Sequence, residues 1–214
     1  MTTWTGRHLF ATVIVAAAAA SLWLVAGSNA RSLWLVGSSA AKSQRVTGHS
    51  SASGSLVRDV AEARAATAKY VTNLKLAKQN GYGIITKMIP DMGYHFMNPE
   101  VTGFDPSKPP ILVYEHTGST WQLGAVEWVF TKKPPVAPIP GATYGAFGAG
   151  CHYADGTFVP AEAQSKCPAT APGSGAKFGF WHPDLVTLHL WVWYPNPSGI
   201  FSGTNPLVGT FNDG

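Results

Sequence analysis

The sequence predicts an α+β domain: one long N-terminal amphipathic helix packed on a mostly antiparallel curved sheet or small β-barrel. Three observations carry this. Apolar residues recur at helical spacing across 56–80. From Tyr82 onward, β-branched and aromatic runs alternate with Gly/Pro turns. The chain also holds 23 glycines and 16 prolines, too many for a helical bundle, while 45% hydrophobic residues suffice for a core.

The N-terminus reads as an export leader. Arg7 and His8 close a short polar region, and Leu9 to Gly27 then runs without a charge. Ser28-Asn29-Ala30 and Ser38-Ser39-Ala40 fit the small-x-small pattern of a cleavage site. Residues 1–40 therefore read as a signal peptide or, uncleaved, as an N-terminal anchor, since the apolar run is just long enough to span a bilayer. The expected location is secreted or extracytoplasmic, with the membrane touched only through this segment. Residues 41–55 are Ser/Gly-rich and read as a flexible tether, and residues 56–214 as a single β-rich domain with a leading helix.

In the helix, Leu56, Val60, Ala63, Thr67, Tyr70, Val71, Leu74 and Ala77 form the stripe to be buried. Asn80-Gly81 is the stop, because Gly81 can take a left-handed conformation. Strands are expected at Gly83–Ile89, Gly93–Met97, Ile111–His116, Thr120–Thr131 and Asp184–Tyr194, with Phe178–Trp181 as another. Gly118-Ser119 should join the third and fourth in a hairpin. Lys132 to Pro140 is too rich in proline for a central strand and reads as an extended connector. Cys151 and Cys167 are the only cysteines, and in an exported chain an even count predicts a disulfide.

Charged residues are only 12% of the chain and the net charge is +4, with no basic cluster larger than Lys132-Lys133. A phosphate-tracking surface needs several bases gathered on one face, so nucleic-acid binding is not expected. No Gly-x-Ser-x-Gly elbow supports a Ser-His-Asp hydrolase. The glycine-rich 141–150 segment lacks the Lys-Ser/Thr ending of a phosphate loop.

The informative residues are polar groups set in apolar strands. Glu127 lies in Leu123-Gly-Ala-Val-Glu-Trp-Val-Phe130, apolar on both faces. By strand alternation Leu123, Ala125 and Val129 share its face. Glu115 sits in the same way beside Ile111 and Val113. His189 lies in the most apolar strand, and alternation gives it Thr187, Trp191 and Trp193 as face-mates. His95 falls between Tyr94 and Phe96. An unpaired buried carboxylate costs several kcal/mol, so these groups must pair or ligate.

Two imidazoles with one or two carboxylates suit a divalent Zn, Mn, Fe or Cu ion, which makes His95, Glu115, Glu127 and His189 the candidate metal ligands. Glu127 is the candidate for acid–base catalysis. Trp191, Trp193 and the rim residue His182 are the candidate wall for a small-molecule substrate. This gives an exported metal-binding protein that acts on or senses a small extracellular molecule, a small metalloenzyme being one form of it. The alternative is a non-enzymatic envelope module that binds a ligand or is structural, its His–Glu network buried. His116, His152 and His49 fall in strand-end, loop and tether positions and are not chosen.

Met92-Gly-Tyr-His-Phe-Met-Asn-Pro99 and Leu188-His-Leu-Trp-Val-Trp-Tyr-Pro-Asn-Pro-Ser-Gly-Ile-Phe201, with Tyr114-Glu115 and Val126-Glu127 between them, resemble a group of exported bacterial proteins over residues 60–208. The resemblance carries no activity with it. In scattering His and Glu over strands the chain also resembles cupin-like small barrels. The paired histidines of the cupin motif are missing, so this likeness is architectural and transfers no ligands.

Overall fold

The computed structural model describes residues 50–209. The leader expected over 1–40 lies outside them, as does the tether up to residue 49. Helix α1 spans Ser50–Thr67, so its first turn falls inside the stretch expected to be tether. No helix among the described residues is long and apolar enough to cross a membrane.

The single helix expected over 56–80 is broken. A 3-10 turn at Ala68–Tyr70 follows α1, and α2 restarts at Leu74–Gln79. Two side chains mark the break. The β-branched Thr67 bonds back to the Ala63 carbonyl at 2.6 Å, a habit that bends helices. Asn73 caps α2 by accepting from the Leu76 N–H at 3.0 Å. The break frees backbone carbonyls at the helix–sheet interface, and the sheet uses them. Tyr114 Oη donates to the Tyr70 carbonyl at 2.8 Å, and the Leu123 N–H donates to the Val71 carbonyl at 2.8 Å. The stripe otherwise faces inward as expected, with Ala63, Thr67, Tyr70, Leu74 and Ala77 buried.

The body is a curled antiparallel sheet that forms a half-barrel, so the curved sheet holds and the closed barrel does not. Its strands are β1 (Gly83–Ile89), β2 (Gly93–Met97), β3 (Ile111–Thr117), β4 (Thr120–Phe130), β5 (Gly145–Phe147) and β9 (Leu185–Leu190), in the order β1-β2-β3-β4-β9-β5. A second sheet orders β7 (Phe158–Pro160), β6 (Gly150–Tyr153) and β8 (Phe178–His182) as β7-β6-β8. The expected hairpin forms, with Thr117 paired to Thr120. At the β1–β2 turn, Gly93 takes φ 115° and lies so close to β3 that a Cβ there would sit 2.6 Å from the Tyr114 carbonyl oxygen. Only glycine fits at that crossing.

The two faces of the six-stranded sheet differ. One packs on the helices through Phe96, Leu112, Tyr114, Leu123, Trp128, Leu188 and Leu190. The other carries Ile111, Val113, Ala125 and Trp191 with the site residues. Two bulges set which residue falls on which face. On β4, Val113 pairs with Ala125 but Tyr114 pairs with Leu123, leaving Gly124 extra. Leu123 is thereby turned to the helix side, away from Glu127, which corrects the face expected from simple alternation. On β1, Ile84 pairs with Phe96 but Thr86 pairs with His95, so Ile85 is the extra residue and Thr86 joins the His95 face.

Cys151 and Cys167 form the expected disulfide, which ties β6 to the turn after Gln164–Lys166.

Candidate metal centre

Glu127 on β4 pairs directly with His189 on β9, the closest cross-strand relation available. His95 comes from β2, two strands from β4, where it pairs with Val113. In a flat sheet strands two apart are about 10 Å from each other. On the inner face of a curled sheet side chains converge, and the three residues meet. His95 Nε2 lies 3.5 Å from Glu127 Oε2, and His189 Nε2 lies 3.7 Å from Glu127 Oε1. One ligand atom from each can be chosen so that all lie within 4.8 Å of one another, and all three residues are buried.

These separations distinguish two arrangements. They exceed the usual N–H···O length of about 2.9–3.0 Å, so a tight hydrogen-bonded His–Glu–His chain is not what the geometry presents. They lie near the edge of a coordination tetrahedron, since metal–ligand bonds of about 2.0–2.2 Å set ligand atoms about 3.3–3.6 Å apart, with each histidine facing a different oxygen of Glu127. Neither ring nitrogen of buried His189 has a hydrogen-bond partner. Leaving such atoms unpaired costs about 1–3 kcal/mol each, a cost that a metal bond at Nε2 offsets. His95 is oriented from behind, with Nδ1 2.8 Å from Thr86 Oγ1. That contact leaves Nε2 as the ligand atom, in the manner of histidines held by a second polar group.

The electrostatics agree. Burial pushes the Glu127 carboxyl up to about 8. It pulls His189 down to about 4. His95 falls to about 3, first through burial and then through the neighbouring His189, while a bond to the Gly93 backbone pulls the other way. Protons are therefore poorly held on the imidazoles, and charge is poorly held on the carboxylate. A cation at the centre of the three reverses the second effect and exploits the first.

The group borders a cavity of about 340 Å³ between the two sheets, whose lining is almost wholly apolar. Ile85, Ile89, Met92, Met97, Val129 and Leu185 supply much of it. His152 and His182 of the second sheet also line it, beside Phe147 and Phe180.

The other sequence-based candidates fall elsewhere. Glu115 is buried but outside the group. Glu127 pairs with Ile111, and Glu115 lies four residues further along β3, about 13 Å away by strand rise. Glu115 instead bonds to Tyr194, whose phenol is pushed up by burial first and by this carboxylate second. Trp191 is stacked on His189 with ring centroids 6.5 Å apart and does not line the cavity. Trp193 is on the opposite side of the sheet. Its Nε1 donates to Thr67 Oγ1 at 2.9 Å, and the Arg64 guanidinium lies 4.3 Å over its ring. Alternation fails there because β9 ends at Leu190 and the chain kinks, with the Gly124 carbonyl accepting from both Trp193 and Tyr194 N–H groups. His182 lines the cavity.

Two participants were not anticipated. His152 reads from the sequence as a loop residue but sits buried on β6. Thr86 reaches His95 only through the β1 bulge. Asp155-Gly156, between β6 and β7, is the hairpin signal that would have revealed His152 as a strand residue.

No protein-family model, no curated protein and no solved structure matches this chain.

Proposed function

We propose that this protein is an exported metalloprotein whose His95–Glu127–His189 centre holds one divalent ion and presents it to a small molecule bound in the apolar cavity. The observation that supports it is the convergence of two imidazoles and one carboxylate, one ligand atom of each lying within 4.8 Å of the others, with both nitrogens of His189 otherwise unpartnered. Three protein ligands leave a coordination position open, which is the pattern of catalytic rather than structural zinc sites and of two-histidine, one-carboxylate iron sites. When bound, the ion supplies Lewis acidity or an activated small ligand. Glu127 would hold the ion through a carboxylate oxygen beside the two histidines, and Thr86 positions the ring of His95.

Export is supported by the Leu9–Gly27 run with its small-residue cleavage patterns, and by the Cys151–Cys167 disulfide. A second reading, metal-dependent ligand binding without turnover, draws on the lining of the cavity. Among the described residues Glu127 is its sole carboxylate, so no second acid stands ready to move a proton.

Cobalt(II) titration of the full chain tests the proposal. The expected result is one equivalent bound with a tetrahedral d–d spectrum that shifts when azide is added, showing an open position. No uptake, or a spectrum that azide leaves unchanged, contradicts it.

A further inference from the structure

Across the cavity from the metal ligands, the histidine pair His152 and His182 has a chemistry of its own. The ring centroids are 4.9 Å apart. His152 Nδ1 donates to the Ile85 carbonyl at 2.6 Å, and His182 Nδ1 donates to the Pro183 carbonyl at 2.6 Å. A backbone carbonyl can only accept, so each Nδ1 carries a hydrogen. In the neutral ring each Nε2 is then an acceptor. His182 is buried and its Nε2 has no partner. His152 stays neutral at physiological pH, because burial first and His182 to a lesser degree hold it down to about 4 against the bond to Ile85.

The surroundings define the rest of the ligand. His152 stacks on Phe180 at 4.5 Å, and His182 stacks on Phe147 at 5.3 Å. The cavity of about 340 Å³ sits at the small end of the range for ligand sites, large enough for one substituted ring. Acceptors without donors repel a carboxylate or phosphate and attract a hydroxyl. The flanking rings favour a planar aromatic body.

We infer that His152 and His182 form a hydrogen-bond-accepting subsite for a small aromatic molecule bearing one donor, a phenol in chemical class. This deepens the reading above and rests on it only for the neighbouring ion, since the subsite needs no metal.

The test is calorimetric titration of the metal-free full chain with 4-methylphenol, toluene and benzoate, with zinc uptake measured separately. The phenol should bind about tenfold more tightly than toluene, as one added hydrogen bond allows, and benzoate should bind far more weakly than the phenol. His182→Phe, which preserves the stack on Phe147, should erase the phenol's advantage while keeping toluene affinity. Nitrogen NMR of the wild type covers the case in which that variant fails to fold: an imidazole Nε2 resonance should move with 4-methylphenol and stay with toluene. Equal affinities for phenol and toluene, tight benzoate binding, no binding of any probe, or an advantage that survives in a folded His182→Phe each overturn the inference. Zinc uptake without phenol preference would sink the subsite alone. Phenol preference without zinc uptake would sink the metal centre alone.

Discussion

Leu188 and His189 are neighbours in β9 and are both buried, yet they belong to different problems. Leu188 points to the helix side, where large apolar side chains interlock and Tyr114 finds a backbone partner. His189 points to the cavity side, where its nitrogens lack partners and packing gives way to empty volume. One strand thus separates a face that stabilises the fold from a face that is left polar, strained in protonation and open to a ligand. Folded proteins tolerate such a face when the opposite one supplies enough burial.

Substitutions at neighbouring positions should therefore fail in different ways. The largest effect belongs to Leu188→Ala, which should cost about 2–5 kcal/mol in denaturant unfolding. Zinc affinity of its folded fraction should stay within a few-fold. His189→Ala should do the reverse. It should weaken zinc binding by more than about 100-fold in a chelator competition, beyond the usual loss from an outer-shell change. Its metal-free stability should change by less than about 1 kcal/mol, since two unpartnered nitrogens leave with the ring. Equal stability losses from both substitutions would erase the distinction between the faces.

A pH comparison sharpens it. The Glu127 carboxyl is raised from 4.5 to about 8, so its contribution to metal-free stability is intact below 4.5 and is lost as pH rises through 8. His95, His189 and His152 are lowered from 6.5, so theirs is intact above 6.5 and is lost as pH falls toward 3–4. The window from 6.5 to 8 therefore belongs to Glu127. Across it the metal-free wild type should lose about 2 kcal/mol, and Glu127→Gln should be flat. Urea unfolding at several pH values reads this directly.

The smallest effect is expected at Thr86. Thr86→Val removes the partner of His95 Nδ1 and should weaken zinc binding by about tenfold. Thr86→Ser should restore it if the hydroxyl is what matters.

Much of the cavity face was legible in the sequence because a charge in an apolar strand is a strong local signal. Glu127, His95 and His189 each stand out against their neighbours, and the strands that carry them lie close to where the residues place them. What failed was anything that depended on counting by twos over a long span. The Gly124 bulge turned Leu123 away from Glu127, and the end of β9 at Leu190 sent Trp193 to the helices. The Ile85 bulge brought in Thr86 with no mark in the local sequence. Glu115 illustrates a different limit: a shared face says nothing about distance along the strand. His152 was a missed signal, since Asp155-Gly156 marks its hairpin. The helix break at Thr67 was hidden because the apolar spacing continues through it.

The central claim is that His95, Glu127 and His189 converge to hold an ion. Anomalous diffraction from crystals of the full chain grown with zinc tests it most directly. The account predicts one strong peak about 2.0–2.2 Å from His95 Nε2, His189 Nε2 and a Glu127 carboxylate oxygen. A map with no peak there, or with the zinc bound instead between His152 and His182, would contradict it.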